Sequence, residues 1–413
     1  MTVTRSELTR TFARIGLLSF GGPAAQIALM HRILVTERKW LTEKDYLSAL
    51  SFCMLLPGPE AMQLATWAGW RLHGTWGGLI AGGLFVLPGA VVVLALTMAY
   101  AAWGDLPVMQ ALFLGVQAAV IAIVIEALMR VAKRALRGVS AYAIATLAFL
   151  GLFFLNLPFP VIILAAGLWG LLTARGNPAA LPEVTAPRTL PTLLLWLAVW
   201  LVPLGLLWLY GGILFDIGWF FSKLAVLTFG GAYAVLAWMT QEVVTVQGWL
   251  TTSQMMAGLG LAETTPGPLI LVNEFVGFMA GYGASGWALG IAGAVVTLWM
   301  TFVPCFLWIF VAAPYLSRIT ADPRLAGALS AIMAAVVGVI ANLSLWFALH
   351  LLFGTITPLR LGPLHLILPD PASLNLAALG LSAVSALMLL WLHRPLWQVL
   401  AVSAALAVAI SAA

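Results

Sequence analysis

Two short strings hold the residues whose types and spacing suggest chemistry. Ser19-Phe20-Gly21-Gly22-Pro23 and Pro57-Gly58-Pro59-Glu60 each interrupt a long apolar run. Glycine lets a backbone turn sharply and leaves its N–H uncovered, whereas proline ends one helix and suits the start of the next. A helix begun after such a break presents unpaired N–H donors and roughly half a positive charge, which suits an anion. Both strings occur a second time, as Thr228-Phe229-Gly230-Gly231 and Pro266-Gly267-Pro268. Arg14 stands five residues before Ser19, and Lys223 stands five before Thr228. The expected chemistry is therefore the holding of an anion by backbone donors and two fixed cations.

The elements that position these strings form a tandem duplication. An offset of 209 residues pairs Phe12 with Phe221, Arg14 with Lys223, Met30 with Met239 and Trp40-Leu41-Thr42 with Trp249-Leu250-Thr251, besides both breaks. After a seven-residue insertion the offset becomes 216, pairing Pro88 with Pro304 and Ala118-Ala119-Val120 with Ala334-Ala335-Val336. Shared glycine and proline breaks in constant register mark a repeat. The expected organisation is a first repeat at 1–175, a linker and connecting helix at 176–211, and a second repeat at 212–413. The boundary falls in the polar, proline-rich stretch 174–191.

The chain is 63% hydrophobic and 8% charged, against about 25% charged in soluble domains, and its mean hydropathy is +1.06. Long apolar spans read at 79–101, 108–130, 140–156, 158–173, 190–210, 284–312, 325–350, 373–391 and 395–412. The predicted fold is an all-α polytopic membrane protein of two inverted repeats, each with broken or re-entrant helices and long transmembrane helices. The polar start MTVTRSELTR lacks the apolar core of a cleavable signal, so Met1 is expected to stay on the mature chain. Cys53 and Cys305 lie inside apolar runs, which argues against a disulfide framework. No metal-ligand cluster, nucleophile–base pair or phosphate-binding lysine loop reads out, so no metal, cofactor, enzymatic activity or direct ATP drive is expected. The net charge of +5 is no nucleic-acid signal.

The segments around the breaks, 45–56 and 60–72, are too short to cross a hydrocarbon core of about 30 Å. They are either re-entrant hairpins, the favoured reading, or crossings broken midway. With the N-terminus in the cytoplasm, nearly every Lys and Arg from Arg32 to Arg394 falls inside and only Arg360 outside. Five crossings separate the motifs, an odd number, so the second repeat enters from the opposite face and Ala413 lies outside. The cation-free loop TQEVVTVQGWLTTSQ agrees, where its counterpart HRILVTERKWLTEKD carries four. Inverted repeats whose broken helices meet near mid-membrane are the architecture of secondary transporters.

Other polar residues carry open readings. Gly-Gly could serve only close helix packing, and Arg14 and Lys223 could snorkel to the interface. Glu60 complements a helix dipole or carries a proton. Glu263 and Glu274 flank the second Pro-Gly-Pro where Met54 and Ala65 align, and are proton or coupling candidates, with pairing to Lys223 as the structural alternative. Gln63 and Asn273 are helix–helix hydrogen bonders or ligands of the anion.

The strings FARIGLLSFGGPAAQIALM, LLPGPEAMQLATWAGWRLHGTWGG, FSKLAVLTFGGAYAVLAWM and TTPGP resemble the chromate ion transporter family in its long, two-domain form, over essentially the whole chain. The resemblance implies a multi-pass bacterial-type inner-membrane protein that exports chromate and confers resistance, with sulfate as an analogue. Its pattern carries over to Ser19–Pro23 and Pro57–Pro59, then to Phe229, Gly230, Gly231 and Pro266–Pro268. Ala232 stands where the first repeat has Pro23, which implies a looser second tip. A sulfate or other oxyanion transporter and an anion channel remain the alternatives. The expected partners are chromate or sulfate, the lipid bilayer and, as an assembly, a homodimer.

Overall fold

The computed structural model describes residues 3–174, 189–229 and 231–412. Met1, Gly230, Ala413 and most of the 174–191 boundary, with Arg175 and Arg188, lie outside the described residues. Helix α1 (Arg5–Leu18) starts on a capping box, in which the Thr4 hydroxyl accepts from the Glu7 amide and the Glu7 carboxylate from the Thr4 amide. After a break come α2 (Gly22–His31) and α3 (Glu43–Leu55), then α4 (Glu60–Trp103), α5 (Pro107–Ala135), α6 (Val139–Phe153), α7 (Phe159–Thr173) and α8 (Thr189–Tyr210). The second half repeats this series. It runs α9 (Ile213–Leu227), α10 (Ala232–Gln241), α11 (Thr252–Thr264), α12 (Val272–Ala312), the short α13 (Leu316–Ala321) and α14 (Pro323–Leu352). A strand pair, β1 (Ile356–Leu361) and β2 (Leu364–Pro369), precedes α15 (Leu376–Ala386) and α16 (Leu396–Ala412).

The protein is a helical polytopic membrane protein. Five segments, Glu60–Trp103, Pro107–Ala135, Thr189–Tyr210, Leu269–Ala321 and Pro323–Leu352, are long and apolar enough to cross a bilayer, and shorter apolar helices accompany them. The hairpin β1–β2 was not expected. Its register pairs Leu361 with Leu364 around Gly362-Pro363, and Gly362 takes φ +62°, the positive φ that a tight two-residue hairpin needs.

The duplication extends to local backbone. In both halves the helix after the first break ends in a π turn, Arg32–Glu37 and Glu242–Val246. Its closing bonds recur at the 209 offset: Arg38 N–H to Ile33 and Gln247 N–H to Glu242, Trp40 to Leu34 and Trp249 to Val243. The next turn takes positive φ at Lys39 (54°) and at Gly248 (64°).

Compact units do not follow the repeats. One unit gathers residues 1–98, 175–232 and 261–326, and the other gathers 99–174, 233–260 and 327–413, so each draws on both halves. In the first unit α8 and α9 pack on α12. The Trp200 indole donates to Ser222 Oγ (3.2 Å) and the Trp299 indole to the Val199 carbonyl (3.0 Å). Helix α4 folds back on itself at His73-Gly74, where Gly74 takes φ +62°, and α12 does so at Ser285-Gly286. The arms meet through glycine: Gly69 lies against the Gly77 carbonyl, and Gly277 against Gly293. A side chain at these positions would hold the arms apart. The arm 60–72 therefore spans only about 20 Å.

In the second unit α5 packs on α15 and α16. Gly115 lies against the Ser403 backbone, the Ser385 and Ser403 hydroxyls share a 2.7 Å hydrogen bond, and Ala118, Leu381 and Ala407 fill the space around them. These buried hydroxyls satisfy one another.

Candidate functional site

The four breaks pair crosswise between the halves. The Gly58 N–H donates to the Thr228 carbonyl at 2.7 Å, and the Gly267 N–H donates to the Ser19 carbonyl at 2.8 Å. Each Pro-Gly-Pro thus seats on the other half's Ser/Thr-Phe-Gly-Gly break. Glycine is required there: Gly58 takes φ +123° and Gly267 φ +94°. A Cβ on Gly58 would also stand 2.7 Å from Gln63 Nε2 and 2.9 Å from Cys305 Sγ, and one on Gly267 would stand 3.3 Å from the Gly89 backbone. Pro88-Gly89 and Pro304-Cys305 are equivalents at the 216 offset. Each Pro-Gly-Pro therefore also packs on the other half's proline-bearing helix.

Side-chain amides complete the crossing. Gln26 Nε2 donates to the Gly267 carbonyl (2.6 Å) and the Ser19 carbonyl (3.3 Å), clamping one break to its partner. Gln63 Nε2 donates to the Pro57 carbonyl (2.7 Å), and Asn273 Nδ2 donates to Thr301 Oγ1 (3.3 Å). Gln26, Gln63 and Asn273 are all buried, and the carbonyl oxygen of each amide has no hydrogen-bond partner among the described residues. Sequence reasoning passed over Gln26. Its signal was a lone amide one turn into the apolar helix that follows Pro23.

Several donors expected to face an anion are used inside the protein. The amides of Gly58 and Gly267 make the crossing bonds above. The Ser19 hydroxyl donates to the Ile15 carbonyl and the Thr228 hydroxyl to the Leu224 carbonyl, both at 2.6 Å, and both residues are fully buried. These hydroxyls cap the helices that end at the breaks, because the last carbonyls of a buried helix need donors.

The first Gly-Gly is different. Gly21 and Gly22 take φ +84° and +78°, Pro23 sits in the first turn of α2, and Phe20 is half exposed. A Cβ on Gly22 would meet nothing within 4 Å, so this helix start faces open space. In the second half Gly231 takes φ +92°, and the carboxylate oxygens of Glu60 lie 3.7 and 3.8 Å from where its Cβ would stand. Gly230 is outside the described residues, and Phe229 is half-buried.

Arg14 is exposed and lies 4.0 Å from Glu37, which also pairs with Arg32 at 3.4 Å. Lys223 is partly buried, with its Nζ 5.7 Å from the centre of the Trp219 ring. Glu274 is buried and its Oε2 has no hydrogen-bond partner among the described residues, while Glu263 is partly exposed at the end of α11. Pro266 and Pro268 are buried with Gly267, whereas Pro57 and Pro59 flank Gly58 from half-buried and buried positions. A separate open cleft, lined by Trp67, Trp70, Arg71, Pro314 and Ser317 among others, contains none of the break residues. Among the described residues no His, Cys, Asp or Glu side chains gather as a metal site.

Known proteins share this chain's pattern. The family described as Chromate transporter matches residues 6–171 and 215–409. The chromate transport protein of Pseudomonas aeruginosa is 33% identical over 346 residues, covering 81% of this chain and 79% of that protein. The chromate transport protein of Cupriavidus metallidurans is 31% identical over 349 residues, covering 82% and 81%. A probable chromate transport protein of Synechococcus elongatus is 29% identical over 392 residues, covering 91% and 94%. No solved structure matches the chain. With both breaks, both halves and these relatives aligned over most of its length, the chain belongs to the chromate transporter family.

Proposed function

We propose that this protein is a secondary transporter that exports chromate, a tetrahedral dianion, across a bacterial-type inner membrane and so confers resistance. The observation that carries the reading is the crosswise seating of Gly58 on Thr228 and Gly267 on Ser19. Non-helical backbone at membrane depth survives only against protein or a wet cavity. Here the crossing bonds satisfy the Pro-Gly-Pro breaks and leave the start of α2, at Gly21-Gly22, facing open space. Unpaired N–H groups and the helix dipole suit an oxyanion there. The names of the relatives support chromate as the cargo, and sulfate has the same shape and charge.

The two halves run in opposite senses across the membrane. Equivalent arms of α4 and α12 are antiparallel: Gly78 meets Phe310 and Gly82 meets Phe306, so residue numbers rise on one arm as they fall on the other. With the positive-inside asymmetry, this supports a cytoplasmic N-terminus and an external C-terminus. Lys223 supplies the less compensated of the two fixed cations, since a ring face screens it less than Glu37 screens Arg14. Glu274, buried without an ion pair among the described residues, is the carboxylate assigned to proton coupling. Reconstitution tests the whole reading. Chromate should accumulate against its gradient in proteoliposomes under an imposed pH or potential gradient, and purely downhill leak would favour a channel.

A further inference from the structure

Among the differences between the halves, one adds a charge beside a break. Pro59 is followed by Glu60, whereas Pro268 is followed by Leu269. Glu60 begins α4 in the first half, yet its carboxylate lies against the second half's break, with Oε1 and Oε2 3.7 and 3.8 Å from the Cβ position of Gly231. Gly231, at φ +92°, leads into α10, a helix of 10 residues. A carboxylate therefore already lies beside Gly231, at the second break. The equivalent of Glu60, Leu269, carries no charge, and at the first break the Cβ position of Gly22 has nothing within 4 Å.

We infer that Glu60 is a tethered anion that fills the second break, leaving the first break alone open to an anion from solution. A carboxylate at a helix start is stabilised by the N–H groups and dipole there. The same donors cannot serve Glu60 and a second oxyanion together, because two like charges side by side repel. Loading of the second break requires the Glu60 carboxylate to withdraw. The nearly two-fold arrangement then presents one vacant and one self-occupied break, which gives two equivalent sites unequal affinities. This assignment rests on the oxyanion reading above and refines how many anions the protein holds.

The test empties the second break and refills it with a small carboxylate. Full-length parent and Glu60→Ala proteins in lipid nanodiscs are melted with increasing formate or sulfate. The expected result is a lower melting temperature for Glu60→Ala that either anion restores in a concentration-dependent way, with a much smaller response in the parent. Equal responses in the two proteins overturn the assignment. Glu60→Gln, which keeps the side-chain volume, guards against misfolding: sulfate should bind it several-fold more tightly than the parent, and unchanged or weaker binding overturns the assignment. Formate rescue does not depend on the transported cargo. Rescue without chromate flux in the parent removes the transport reading and keeps the role of Glu60, whereas flux without rescue removes that role alone.

Discussion

The Gly58 amide donates to the Thr228 carbonyl at 2.7 Å, bonding the Pro-Gly-Pro of one half to the Phe-Gly-Gly break of the other. Gly267 and Ser19 repeat the bond at 2.8 Å. Because both bonds cross, each Pro-Gly-Pro glycine amide finds its acceptor in the other half. The two halves are expected to fold and function only together. Alanine at Gly58 meets a φ of +123° and contacts under 3 Å with Gln63 and Cys305, and should cost roughly 1–3 kcal/mol. Thermal unfolding in detergent checks this. A Gly58→Ala protein as stable as the parent would mean that the crossing is not structural.

Gln26 should matter more than its sequence neighbours suggest. Its amide bridges the Gly267 and Ser19 carbonyls, so Gln26→Leu takes the side-chain donor from the Gly267 carbonyl and leaves the Ser19 carbonyl with the Gly267 amide, at roughly 1–3 kcal/mol. Chromate flux in Gln26→Leu should fall well below that of the parent and of a Gln26→Asn protein, which keeps an amide N–H donor, at matched membrane content. Equal flux in all three would remove the clamp from the account.

Lys223→Ala is expected to weaken oxyanion binding more than Arg14→Ala does. Arg14 already faces Glu37 at 4.0 Å, whereas Lys223 faces only the Trp219 ring among its described partners. Equilibrium binding of sulfate at low salt separates the two, since salt screens the exposed cation first. A larger loss at Arg14 would reverse the assignment.

Glu274 carries the coupling prediction. Glu274→Gln preserves the shape of a buried side chain whose Oε2 lacks a partner, so the protein should reach the membrane and still exchange chromate down its gradient. Uphill export should lose its dependence on an imposed pH gradient. Retained pH-driven export in Glu274→Gln would place coupling elsewhere, with Glu263 next in line.

Much of this was legible in the sequence because glycine and proline breaks are rare in apolar helices and their register survives duplication. The helices, the repeat and the break positions follow from that pattern. The crossing itself was not legible, since the 209 offset says which residues are equivalent and not which ones touch. For the same reason the donors of Gly58, Gly267, Ser19 and Thr228 were expected to face an anion, while the structure spends them on carbonyls. The composite units were hidden too, because most of their boundaries fall inside continuous helices, as at 98/99 in α4 and 326/327 in α14, where no break marks the sequence. The β1–β2 hairpin escaped notice, its alternating leucines lying between long apolar helices.

The central claim is that the open start of α2 at Gly21-Gly22 holds the transported oxyanion. Uphill chromate flux into inverted-orientation proteoliposomes, compared between the parent, Gly22→Ala and Gly22→Val, tests it most directly. Nothing lies within 4 Å of the Gly22 Cβ position, so a Cβ there meets no neighbour, while φ +78° strains both variants. The account predicts reduced flux with alanine and none with valine, at equal protein content and with sulfate binding lost in parallel. Parent-level chromate flux from the Gly22→Val protein would contradict it.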